Sequence, residues 1–155
     1  MDRVGFLTQR QVEVLKYWSR GLSTRQIARI LGTSHQDVAS SLKRALQNVE
    51  RAKTTLLAYR LVSSALRVVI KEGTRLIDVP VIVVSEADRV GVRVRGDFTL
   101  IFKLIRYKAR ACVSGKVVSK PVLVLVDRDG SVDVYPYDEV ADLLERLGVE
   151  VGVEA

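Results

Sequence analysis

The 155-residue sequence holds one cysteine (Cys112), one histidine (His35), one methionine, one tryptophan and three prolines. A single cysteine excludes an intrachain disulfide. With a single histidine beside it, a Cys/His zinc site within one chain is excluded as well. Cys112 reads as a small buried apolar residue rather than a reactive thiol. No apolar run approaches the ~20 residues of a membrane span, and the first ten residues lack the apolar core of a signal peptide. The expectation is a cytoplasmic protein. Scarcity of asparagine, cysteine and methionine points to a thermophilic source. There is no phosphate-cradling glycine loop, dinucleotide fingerprint or nucleophile elbow. The carboxylates do not gather in an apolar setting that would shift a pKa. His35 and Cys112 would form a dyad only if the fold joined distant segments. No catalytic residue, metal ion or cofactor is expected.

What the chain does have is a core and a one-sided charge. Apolar residues make up 48%, which argues against wholesale disorder. The net charge is +7. Residues 1–60 hold 11 Lys/Arg against 4 Asp/Glu, whereas residues 61–155 hold 14 of each. All the excess positive charge therefore lies in the first part, as an electrostatic footprint for nucleic acid would require.

That part reads as three helices. Thr8 and Gln11 form a capping box for a helix over Leu7–Arg20, and Val12, Val14, Leu15 and Trp18 are its expected core positions. Ser23 and Gln26 form a second capping box, followed by the apolar face Ile27, Ala28, Ile30 and Leu31. Gly32 stops that helix, and Ser34 caps the next. The spacing predicts a helix-turn-helix over Gly21–Leu46. The early outer face of its last helix is short, polar or basic, and such a face enters a major groove.

The third helix does not stop where a minimal motif would. Val38, Leu42, Ala45, Val49, Ala52, Leu56, Tyr59 and Ser63 alternate in steps of four and three, a heptad-like seam. It must pack on a second copy, on the rest of the chain, or on both. The alternative is that Val38–Val49 serve the three-helix core and the remainder packs within the chain. Thr54–Thr55 and Arg60–Ser64 are candidate break points.

Residues 64–155 read as a small α+β domain behind the helix-turn-helix domain of residues 1–63. A strand is expected at Arg67–Lys71. A helix follows, capped by Asp78 with Pro80 in its first turn and ending near Gly91, although its β-branched composition would also suit a strand; then comes a short extended piece, Val92–Arg95. A helix from Asp97 to about Arg110 has the apolar side Leu100, Ile101, Leu104, Ile105 and Tyr107. Its basic side is Lys103, Arg106, Lys108 and Arg110, read as a solvated face or, alternatively, a second phosphate contact or an anionic-ligand surface. Asp129-Gly130 between two β-branched runs predicts a hairpin. Asp138 caps a last helix that Gly148 stops, and Val149–Ala155 is a loose tail or a short edge strand.

Leu7, Thr8, Arg10, Val14, Leu15, Gly21, Ser23, Ile27, Ala28, Leu31, Gly32, Ser34, Val38 and Arg44 resemble the helix-turn-helix of sigma-factor region four and of LuxR-type regulators. The chain as a whole resembles the archaeal DNA-binding protein Tfx family. The resemblance rests on Tyr59-Arg60, Glu72-Gly73-Thr74-Arg75-Leu76, Asp78-Val79-Pro80, Glu86-Ala87-Asp88-Arg89, and Lys120-Pro121 ahead of Asp129-Gly130. It runs to about residue 135. It implies an archaeal transcription regulator. The acidic, activating C-terminal half described for that family has no counterpart in a half with 14 charges of each sign.

The expectation is a dimeric regulator that reads double-stranded DNA with the helix starting near Ser34. Gln36, Ser40 and Ser41 are its candidates for base edges, flanked by His35 and Asp37. Arg25, Arg29, Lys43 and Arg44 are candidates for phosphates, with Ser23 and Thr24 at a helix N-terminus that can also meet one. Val49, Ala52, Leu56 and Tyr59 are the candidate dimer seam. The alternative is a ligand-sensing or protein-interaction module that uses the helix-turn-helix as a scaffold. A small-molecule effector for the second domain stays open.

Overall fold

The computed structural model describes residues 2–153. It divides into two compact units, Met1–Leu57 and Ala58–Ala155. The architecture is an N-terminal three-helix unit with a long third helix, then an α+β unit with an antiparallel sheet and a hairpin. Among the described residues no helix is long and apolar enough to cross a membrane.

In the first unit, α1 (Gln9–Trp18) and α2 (Thr24–Leu31) each start at the capping box read from the sequence. Thr8 Oγ1 accepts from the Gln11 N–H at 3.2 Å, and the Gln11 side chain accepts from the Thr8 N–H at 3.0 Å. Ser23 and Gln26 repeat the exchange. Gly32 ends α2 in the left-handed region, φ 66°, where a glycine meets no Cβ clash. Then α3 (His35–Ser63) begins, with Ser34 Oγ accepting from the Asp37 N–H at 3.1 Å. Val14, Ile27, Ala28 and Val38 form the buried core, with Tyr17, Leu22, Leu31 and Leu42 against it.

Two expected core residues are exposed instead. Trp18 is 44% exposed. It is the last residue of α1, and Tyr17 takes the inward place beyond Val14. Ile30 is also exposed, because Ile27 and Leu31, one turn apart, already span the inward face of α2. Of the two candidate break points, Thr54–Thr55 stays helical, whereas α3 does end at Ser63, within Arg60–Ser64. Thr55 Oγ1 donates to the Arg51 carbonyl at 2.8 Å, so the hydroxyl bonds back onto the helix instead of unwinding it.

In the second unit the sheet order is β5-β4-β1-β6. Its strands are β1 (Leu66–Ile70), β4 (Val122–Val126), β5 (Val132–Pro136) and the short edge strand β6 (Gly152–Val153). β1 pairs antiparallel with β4, as β4 does with β5, while β6 runs parallel to β1. The tail thus forms an edge strand only at Gly152–Val153; Glu154 and Ala155 lie outside the described residues. β4 is buried at all five positions, as expected of a central strand covered on both faces. α4 (Val79–Arg89) and α5 (Phe98–Lys108) supply Val79, Val83, Ala87, Ile101 and Ile105 to the core over the sheet. α6 (Tyr137–Leu147) follows β5 and stops at Gly148. A two-stranded hairpin that the sequence analysis did not anticipate, β2 (Val113–Ser114) with β3 (Val117–Val118), turns at Gly115.

Three local expectations fail here. Asp78 does not cap α4. A 3-10 turn, Leu76–Asp78, leads straight into that helix, and the Asp78 carboxylate instead accepts from Arg75 Nε at 2.8 Å. Asp138 lies inside the first turn of α6, behind Pro136, and makes no side-chain cap. There its charge still suits the positive end of the helix. On the expected apolar side of α5, Tyr107 is 88% and Leu100 38% exposed. Lys108 turns inward in place of Tyr107, toward Asp133.

Candidate nucleic-acid interface

The first turns of α3 leave Val38 and Ala45 buried and Leu42 half-buried, so these set the inward side. Gln36, Ser40, Lys43 and Gln47 then recur at helical spacing on the opposite side, and all four are exposed. His35 and Arg44 are exposed beside them, while Ser41 is half-buried at the margin. Gln47 was missed in the sequence reading, although the same spacing of three and four from Ser40 and Lys43 leads to it.

Asp37 is exposed and locally engaged. It accepts from the Thr33 hydroxyl at 2.9 Å, and its N–H is held by Ser34. A polar recess of about 270 Å3 brings Arg10 of α1 and Thr33 of the turn together with Asp37, Ser40, Ser41 and Arg44. Three elements of the motif therefore meet at one place.

Four cations around this face are uncommitted, whereas Arg10 pairs with Glu13. Among the described residues the side chains of Arg25, Arg29, Lys43 and Arg44 have no hydrogen-bond or ion-pair partner, and all four are exposed. Arg25 lies in the first turn of α2 and Arg29 in its last. Ser23 is occupied by its capping box, and Thr24 is half-buried at the first position of α2.

The expected seam changes character along α3. Val49 and Ala52 are half-buried, whereas Leu56 and Tyr59 are 68% and 71% exposed. An apolar groove of about 400 Å3 lies between the Val4–Leu7 turn and the α3 side chains Val49, Ala52 and Leu56. Asn48 Nδ2 donates to the Phe6 carbonyl at 3.1 Å and pins that turn to α3.

The last turn of α3 ends in a charged cluster within the second unit. Arg60 Nη2 donates to Asp127 Oδ2 at 3.0 Å, and Arg60 Nη1 lies 3.5 Å from Asp133 Oδ2. Asp133 also accepts from Lys108, from the Tyr135 hydroxyl at 3.0 Å and from the Val134 N–H at 2.8 Å. Burial alone would raise the Asp133 pKa. Lys108, the Val134 N–H and Arg60 outweigh it and hold the carboxyl below its ordinary value. Burial and the neighbouring Asp133 push the Tyr135 phenol up to about 12. Cys112 is 2% exposed, and burial raises its thiol above the usual value. It is a packing residue of the core.

Two family models match the chain. Residues 6–56 match "Bacterial regulatory proteins, luxR family", and residues 52–134 match "DNA_binding protein, TFX, C-term". The second covers more than half of the sequence. The chain belongs to the Tfx family. The DNA-binding protein Tfx of Methanothermobacter marburgensis is 32% identical over 134 residues, 86% of this chain and 97% of that protein. A Methanocaldococcus jannaschii protein, provisionally named a transcriptional regulatory protein, is 33% identical over 129 residues, 83% of this chain and 94% of its own. A similarly named Thermococcus kodakarensis protein is 39% identical over 89 residues, 57% of this chain and 59% of its own. The Tfx C-terminal match ends at residue 134, so α6 lies beyond it.

Proposed function

We propose that this Tfx-family chain is a sequence-specific regulator of transcription that binds double-stranded DNA as a homodimer. The observation that carries this reading is the outward stripe of α3. Gln36 and Ser40 stand exposed on the first turns of a capped helix, with unpaired Lys43 and Arg44 beside them. Gln36, Ser40 and Ser41 read base edges: a glutamine pairs with adenine, and a serine serves either partner. His35 and Asp37 flank them. Arg25, Arg29, Lys43 and Arg44 take phosphates, together with Ser23 and Thr24 at the start of α2. The names of the Methanothermobacter relatives support the partner class.

The homodimer rests on Val49, Ala52, Leu56 and Tyr59. An exposed leucine and tyrosine one turn apart on a long helix, beside an apolar groove, leave apolar surface that a second copy covers. Two copies then present two reading helices about one turn of DNA apart.

Selection of bound fragments from the source genome, followed by titration of the winners at two salt concentrations, tests the reading. Expected are fragments with paired half-sites and an affinity that falls steeply with salt. Fragments with a single unpaired site would remove the dimer. Absence of salt-dependent binding would favour a scaffold role for the motif.

A further inference from the structure

The second half of the chain carries equal numbers of positive and negative residues, but they are not mixed. Residues 98–126 contain six Lys/Arg and no Asp/Glu. The neighbouring stretches hold all 14 acidic residues of that half. Some cations there are paired: Arg75 with Asp78, Arg89 with Glu86, and Lys108 with Asp133, which also meets Arg60 from the end of α3.

Lys103, Arg106 and Arg110 are grouped along α5 and the turn that follows it. All three are exposed, and among the described residues their side chains have no hydrogen-bond or ion-pair partner. Lys103 and Arg106 share the outer face of α5 with Tyr107, because Ile101 and Ile105 are turned into the core. Arg110 opens the short 3-10 turn Arg110–Cys112 that follows. Tyr107 is 88% exposed between two cationic neighbours, and nothing in the packing of the unit requires an aromatic ring there. Lys116 and Lys120 do not belong to this group, since they lie off α5, in the β2–β3 turn and after β3.

We propose that Lys103, Arg106 and Arg110, with Tyr107 among them, form a second DNA contact that grips the phosphate backbone independently of the reading helix. This rests on the reading that the helix-turn-helix brings the chain to DNA. The occupant follows from charge complementarity. Free cations strung along a helix face match the regularly spaced charges of a duplex, which are contacted without regard to sequence. An acidic protein partner would call for apolar anchors at the centre of the patch, and this face offers cations around one tyrosine. The tyrosine hydroxyl is itself a phosphate donor of the usual kind.

The test uses the full chain and a duplex of random sequence, with affinity measured across a salt series. Three variants are compared: K103Q/R106Q/R110Q, the charge-conserving K103R/R106K/R110K, and K43Q/R44Q on the reading helix. Each phosphate contact contributes about 0.9 to the slope of log affinity against log salt. The expected result is that K103Q/R106Q/R110Q loses about 2–3 from that slope while the charge-conserving variant keeps it. If K103Q/R106Q/R110Q keeps the wild-type slope while K43Q/R44Q loses part of it, the second contact is overturned and the helix-turn-helix reading stands. If the charge-conserving variant loses slope equally, the effect is structural and the proposal fails. If the wild type binds no duplex in a salt-dependent way, the underlying reading fails first. Loss of binding to polyglutamate with an unchanged DNA slope would assign the face to an acidic protein and overturn the proposal.

Discussion

Gln36 and Lys43 stand on the same outward stripe of α3, seven residues apart, yet their chemistry separates them. A side-chain amide discriminates between bases, and an ammonium does not. Gln36→Ala is expected to cost ~1–3 kcal/mol on the operator and little on random duplex, as titrations against both would show. Lys43→Gln is expected to weaken all sequences alike and lower the salt slope by about 0.9. Equal loss on both probes for Gln36→Ala would take it off the reading face. Asp133 makes the other residue-scale prediction. Its carboxyl is held below the ordinary value in the fold, so its ionised form adds stability above the ordinary carboxylate range. That contribution is lost as pH falls through the lowered folded value. Asp133→Asn is expected to cost about 1.5–3 kcal/mol at neutral pH, where a charged hydrogen-bond acceptor is lost. Urea midpoints measured from neutral to acid pH should show the gap between wild type and variant closing. A gap that stays constant would mean that packing, not charge, holds the cluster.

Between single residues and the whole chain stand α3 and the β4–β5 hairpin. The upper part of the α3 seam is spoken for within its own unit, since Val38 and Ala45 are buried there. The exposed lower part is what a partner copy would take. Leu56→Glu with Tyr59→Glu is expected to convert a dimer to a monomer in sedimentation equilibrium while leaving the helical circular dichroism unchanged, because neither side chain is buried. The hairpin turn rests on one position. Gly130 has φ 88°, and a Cβ there would come within 2.1 Å of the Arg93 carbonyl oxygen. That segment is held close, because the Arg95 N–H donates to the Gly130 carbonyl at 2.8 Å. Gly130→Ala meets both a strained backbone and a clash with main chain. It is expected to lower stability by at least about 2 kcal/mol, which thermal unfolding would register. An unchanged melting temperature would mean that the 92–95 segment is free to move aside.

At the level of the molecule, the proposed dimer would be linked to its target by symmetry. Two copies related by a two-fold axis fix the distance and the rotation between half-sites. Inserting about five base pairs between the half-sites of a selected fragment turns one of them by half a helical turn. Binding is expected to fall to the level of a single half-site, and band shifts with the two probes would show it. Undiminished binding would mean that the copies are joined flexibly or act singly.

Local chemistry alone determined much of this protein. Both capping boxes, the Gly32 stop, the Ser34 cap and the Asp129-Gly130 turn are contacts within four residues, so their residue types suffice to announce them. The α+β class and the central strands were legible for the same reason, as was the confinement of the charge excess to residues 1–60. Tertiary structure decided the rest, because burial is a competition between residues that sequence spacing leaves equivalent. Tyr17 displaced Trp18 from the core, and Lys108 turned inward while Tyr107 turned out. Arg75 claimed the carboxylate that spacing would assign to a helix cap. The β2–β3 hairpin is two residues per strand and carries no periodicity long enough to read. The same competition left Lys103, Arg106 and Arg110 unpaired in a half whose charges sum to zero. A sum records how many charges there are, and only the fold decides which of them meet.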